Sequence, residues 1–218
     1  PYVNILRTTT EAFSGVVGGV DAMEVAPLDE PFGSSEELTR RIARNIQVMM
    51  QEEFHLTQPV DPAGGSWYVE TLTAQLAESI WAYFQNIESK GGIESVILSG
   101  TLQDDVAATL AQRFKNLDTR ADRAVGVNMY ANVLEQKLDR PAPKAVPAPA
   151  GPAVVTAKPI EAHRWTERYE ALRAQTEAWM EKTGKTLDVF LANMGPIPQH
   201  KARADFAAGF FEVAHFNM

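Results

Sequence analysis

The stretch RPAPKAVPAPAGPAVVTAKP, residues 140–159, constrains this chain more than any other. Proline has no backbone N–H to give to a helix or sheet ladder, and Ala/Pro tracts favour extended, semi-rigid spacers. A packed element therefore cannot run through this stretch. We place a large domain at 1–138, the Ala/Pro-rich linker at 139–160, a connecting helix at 161–186 and the start of a further domain at 187–218.

Periodicity fills in the parts. PYVNILRTTTEAFSGVVGG (1–19) predicts a helix, with Pro1 suited to its first turn and Gly18-Gly19 to its end. DAMEVAP (21–27) reads as a short strand and LDEPFGSS as the loop after it. Ser34 and Glu37 have capping-box spacing. The helix they open runs to about His55, with Leu38, Ile42, Ile46, Met49 and Met50 on one face. QPVDPAGGSW (58–67) is a turn-rich loop that sets the next helix, a long one carrying Val69, Leu72, Leu76, Ile80, Phe84 and Ile87 and closed by Gly91-Gly92. Thr101 and Asp104 resemble a cap before the stripe Leu102, Val106, Leu110, Phe114 and Leu117. AVGVNMY (124–130) reads as a strand. Beyond the linker, Trp165, Tyr169, Leu172, Thr176 and Trp179 mark a helix with Gly184 just past its end. LDVFLAN (187–193) reads as a buried-type strand and 201–213 as a helix. Helices alternating with strands are the rhythm of a parallel α/β fold.

Composition narrows the function classes. With 218 residues, a net charge of −8 and 45% hydrophobic residues, the chain has ordinary globular composition. The acid excess argues against nucleic acid as a partner, since phosphate binding needs a clustered positive field. No apolar run approaches the roughly 18–20 residues of a membrane span, and no secretory segment opens the chain. Cysteine is absent, which excludes disulfides and thiolate metal sites and fits a cytoplasmic location. The chain starts at Pro1 inside a helix and stops at Met218 just after another, so both ends read as cut from something longer.

Several blocks in order resemble the methylmalonyl-CoA mutase family, the adenosylcobalamin-dependent acyl-CoA mutases. They are PYVNILRTTTEAF, LDE at 28–30, RRIARNIQVMMQEE at 40–53, VDPAGGSWYVE at 60–70, the Gly pair at 91–92 and VGVNMY at 125–130. The resemblance implies a fold class: α/β, with the C-terminal part of a TIM (β/α)8 barrel, then the linker, then the start of a doubly wound, flavodoxin-like cobalamin-type domain. A TIM barrel needs roughly 250 residues, so 1–138 can supply only its last part. The resemblance also implies a chemistry, the radical interconversion of succinyl-CoA and methylmalonyl-CoA, in which the cofactor carries the hard step.

Two departures then matter. In the family's cobalamin-binding subunits, the loop after the first strand of the second domain reads Asp-x-His-x-x-Gly. The His is the lower cobalt ligand, and the Asp orients it. Here the segment is LANMGPIPQHKARADF, 191–206. Framed by Met194-Gly195 and Gly209-Phe210, the three positions fall on Ile197, Gln199 and Ala202. Sliding the motif onto His200 puts Pro198 at the Asp position and Arg203 at the Gly position. Neither frame yields the motif, and His200 reads as a bystander in a solvated loop. His55, His163 and His215 form no ligand spacing either. The second departure lies after 21–27. Catalytic members carry a Gln, then an Asn, then a Glu that faces the adenosyl group. Only the Glu survives, as Glu30; the other positions hold Asp21 and Ala26. Glu30 is thus a candidate remnant adenosyl contact.

Bland readings fit the remaining features. Glu36-Glu37 complements a helix dipole. Glu52-Glu53 and Asp104-Asp105 are solvated faces. Trp67, Trp81 and Tyr83 are core or interface. In some bacteria the mutase is a pair of homologous subunits, and FLANMGPIPQHKARADFAAGFFEV looks like the small-subunit version of its region. The resemblance therefore implies a non-catalytic small subunit supporting a homologous, cobalamin-binding large subunit in a heterodimer. Adenosylcobalamin and acyl-CoA would be engaged at the level of the complex, and this chain would not itself hold the cobalamin. The alternatives are the barrel of a catalytically active acyl-CoA mutase, or a non-catalytic binding or chaperone-like protein of mutase fold.

Overall fold

A computed structural model describes residues 2–135, 138–141 and 155–218. Pro1 and most of the linker lie outside the described residues. Seven helices follow in order: α1 Val3–Val17, α2 Glu37–Glu52, α3 Trp67–Ser89, α4 Gly92–Ser99, α5 Thr101–Asp118, α6 Glu167–Thr183 and α7 Ile197–Phe211. Short 3-10 turns cover Glu30–Phe32 and Glu212–Ala214. The chain forms two compact units, residues 1–93 with 137–154, and residues 94–136 with 155–218.

In the first unit α1 packs on α2. Ala12, Val25, Ala43, Ile46 and Met50 form its buried cluster, with Val16, Met23, Ile42 and Leu56 against it. The buried face of α2 is Thr39, Ala43, Ile46 and Met50. Ile42, Ile46 and Met50 of the expected face pack here, but Leu38 and Met49 do not, at 64% and 40% exposed. Hydrophobicity favoured the larger side chains. Packing favours Ala43, because Ala12 and Ala43 in one cluster let two helices approach closely. The expected capping box is also absent. Ser34 gives its N–H to Pro141 O at 2.7 Å, α2 begins after Glu36, and no side chain caps it. The DPAGGS turn does set α3. Gly64 N–H bonds Asp61 O, and Glu70 Oε1 reaches back to Gly65 N–H at 3.1 Å. None of the 23 residues of α3 is buried.

In the second unit, α4 is an element the periodicity did not reveal, with Val96 1% exposed. Gly100, at φ 83°, turns the chain into α5, so the cap is Gly100 and not a Thr101–Asp104 pair. Phe114 and Leu117 of the predicted stripe are buried, whereas Val106 is exposed. Asn128 is fully buried and organises the turn after α5. Its Oδ1 accepts the Ala124 N–H, and its Nδ2 donates to Leu117 O and Asp122 O, each at 2.8–2.9 Å. Gly184, at φ 66°, ends α6 with its N–H on Met180 O.

No strand forms among the described residues. Residues 23–27 form no helix, strand or bridge. Residues 124–130 make a tight turn with one isolated bridge, Val125 to Met129, and 187–193 have only the bridge from Asp188 to Asn217. Phe190, expected inside, is 90% exposed. The reason is physical. Apolar alternation marks a tendency to be buried, but a strand exists only where a second backbone answers its N–H and C=O groups.

Candidate functional site

The segment between α1 and α2 is built on two buried residues. Leu28 is 5% exposed and Asp29 is fully buried. Asn4 of α1 donates to Leu28 O at 3.0 Å. Asp29 Oδ2 accepts Arg140 Nε at 2.8 Å and the Glu36 N–H at 3.3 Å. Arg140 Nη1 meets Glu36 Oε1 at 2.8 Å. Burial alone would raise the Asp29 pKa. Hydrogen bonding from Arg140, then Thr39, the Glu36 amide and Ser35, outweighs burial and lowers it from 3.8 to about 2. Asp29 is therefore a fixed anion tied to a cation, unsuited to trade protons near neutrality.

Glu30 follows directly. It opens the 3-10 turn, and its side chain is exposed. Asp21 and Ala26 are exposed as well. A cavity of about 470 Å³ lies beside this segment, lined among others by Asp21, Met23, Gln47, Gln51, Leu56 and Asp61. Its size suits a small molecule. Glu30 is not part of its wall. The structure thus holds the surviving adenosyl-side candidate at the surface, without bringing a polar partner to it from the other two family positions.

His200 lies in the second unit. It was expected in a loop, but α7 starts at Ile197, so His200 sits in the first turn of a helix. Pro196, at ψ 152°, and Pro198 explain the early start, because proline is favoured in a first helical turn. The Nδ1 atom of His200 is buried with no hydrogen-bond partner. Asp205, the nearest acid along this helix, pairs with Lys201 at 2.8 Å. A cobalt-binding imidazole needs its other nitrogen oriented by a carboxylate or carbonyl. Gln199 Oε1 lies only 2.6 Å from where a side chain on Gly195 would begin, filling the turn before the helix. These residues do not fit a cobalamin ligand set.

Of the other histidines, His55 is exposed just past the end of α2, and His163 and His215 are paired with acids. His163 Nδ1 lies 2.9 Å from Glu167, and its ring meets Phe114 edge-on. His215 Nδ1 lies 3.0 Å from Glu177 Oε1, which also accepts Arg173 Nε at 2.8 Å. Burial pushes the Glu177 carboxyl up, and Arg173 and His215 more than reverse that, leaving it below the usual carboxylate range. Among the described residues, no three His, Asp or Glu side chains converge as a metal site would require. No described helix is long and apolar enough to cross a membrane. The clamp of Asp29, Arg140 and Glu36 is the feature the sequence did not show. LDE and RPAP are both visible as motifs, but the sequence separation of 111 between Asp29 and Arg140 hides their pairing.

Comparison with known proteins adds to this geometry. The family model for methylmalonyl-CoA mutase matches residues 1–192. The chain is 41% identical to the methylmalonyl-CoA mutase small subunit of Streptomyces virginiae, over 97% of this chain and 33% of that one. It is 34% identical to the small subunit of Porphyromonas gingivalis, over 100% of this chain and 34% of that one. It is 40% identical to the methylmalonyl-CoA mutase of Cereibacter sphaeroides, over 64% of this chain and 20% of that one. The chain spans about a third of the length of the small subunits it matches.

Proposed function

The chain belongs to the methylmalonyl-CoA mutase family, and from that premise we propose that it is part of the non-catalytic small subunit of a heterodimeric mutase. One observation carries the reading. Similarity to proteins named small subunit runs through 97–100% of the chain, whereas similarity to the Cereibacter sphaeroides mutase covers 64%. The helical setting of His200, with its Nδ1 unpartnered among the described residues, supports it from the side of chemistry.

In this reading residues 1–138 are the last part of a TIM barrel and 139–160 the linker. Residues 161–186 connect to the start of a flavodoxin-like domain at 187–218. The large subunit binds adenosylcobalamin and the acyl-CoA and performs the isomerisation. This chain contributes fold and interface, and Glu30 is its one remnant facing the adenosyl side. The absence of cysteine fits work in the reducing cytoplasm. No step of the radical reaction passes through a residue of this chain.

The test is reconstitution. Full-length protein purified by itself is expected to show no mutase turnover with adenosylcobalamin and methylmalonyl-CoA, and to form a 1:1 complex with a separately purified large subunit. Turnover by the isolated protein would overturn the proposal.

A further inference from the structure

We infer that Arg140 is a positioning residue that locks the start of the linker onto the 28–36 loop, so that the seating of the linker and the order of that loop are one equilibrium. Three contacts join the two segments. Arg140 spans Asp29 and Glu36 with two different nitrogens, both at 2.8 Å. Pro141 O accepts the Ser34 N–H at 2.7 Å. Gly33 is buried under the same strand of linker, at φ 149°. A side chain there would collide with Pro141 O and Arg140 Cβ, so only glycine lets residues 140–141 lie this close.

The energetics make the arrangement all-or-none. Asp29 is wholly buried and the Arg140 side chain is 11% exposed. Withdrawing Arg140 would leave a buried carboxylate with the Glu36 N–H still on it but no counter-charge, which is far costlier than losing a surface ion pair. The loop cannot keep its geometry when the linker leaves, and the linker has no seat when the loop rearranges. Glu36 also precedes α2, so the same guanidinium holds the first turn of that helix. Coupling of this kind is reciprocal. Whatever engages the exposed Glu30 in the ordered loop also holds the linker down, and whatever pulls the linker away loosens the loop. The inference rests on the small-subunit reading only for what engages Glu30; the coupling itself belongs to this chain.

Two readouts on the full-length protein test it. Hydrogen exchange at the Ser34 and Glu36 amides reports the loop. The rate at which endoproteinase Asp-N cleaves between Leu138 and Asp139 reports the linker. Arg140→Met is expected to raise both rates together by about tenfold or more, with α5 and α6 amides unchanged. Arg140→Lys, whose single ammonium cannot span both carboxylates, is expected to raise both by a smaller common factor. Should Arg140→Met fail to fold, Glu36→Gln, on the exposed side of the clamp, is expected to raise both about twofold. Unchanged rates, or a rise in one with the other at its wild-type value, would overturn the inference. Assembly with a large subunit is measured separately, so a failure of the small-subunit reading leaves these readouts intact.

Discussion

Asn128 shows how one side chain can fix a local fold. It is fully buried and meets three backbone groups, one as acceptor and two as donor. Asn128→Ala would leave the Ala124 N–H and the Asp122 carbonyl without the partners Asn128 supplies, while Leu117 O keeps the Arg120 N–H and the Tyr169 hydroxyl. Each buried polar group left unsatisfied costs about 1–3 kcal/mol. We predict a loss of at least about 2 kcal/mol in urea unfolding of the full-length protein, and a loss under about 0.5 kcal/mol would show that the turn does not depend on it. Asp29 yields a pH prediction. Its carboxyl is lowered from 3.8 to about 2 in the folded chain. The stability it supplies is therefore complete above about pH 4 and lost as pH falls towards 2. Asp29→Asn should flatten the drop in melting temperature over that interval while lowering the melting temperature at pH 7. An unchanged slope between pH 4 and 2 would contradict the role assigned to the clamp.

At the scale of elements, α3 stands apart. Trp67, Leu76, Ile80 and Trp81 are 90%, 52%, 67% and 60% exposed. A helix apolar on several sides is stable only when covered on several sides. Residues 1–218 produced alone are therefore expected to self-associate and to bind a hydrophobic dye, and Ile80→Glu with Trp81→Glu should reduce both effects. A sharp, cooperative melt of a monomer would contradict this. The helices themselves were legible. α1, α3 and α5 lie where glycines and apolar spacing put them, because those signals act within a few residues, whereas α6 begins at Glu167 and not at 161. Other features were not legible. The buried face of α2 depends on which small residue meets α1, and the three expected strands depend on partner backbones far along the chain. At the site, Glu30 and His200 were visible as residue types in a motif frame. The helix was expected at 201–213, which left His200 outside it; Pro196 before the helix and Pro198 in its first turn start it at Ile197. The pairing of Asp29 with Arg140 is a tertiary fact with no local trace.

At the scale of the whole molecule, membership of the mutase family stands beside the proposed loss of cobalt ligation. The family match covers 1–192, while the segment that would carry a cobalt ligand is a helix whose histidine has no orienting partner. In the proposed reading, a protein of this family without that ligand works through its partner. The measurement that tests this most directly is a cobalamin titration of the full-length protein alone, followed by absorbance. We predict no spectral change at concentrations that saturate a catalytic large subunit. A spectrum of histidine-coordinated cobalamin, lost on His200→Ala, would contradict the account and make this chain a cofactor-binding subunit in its own right.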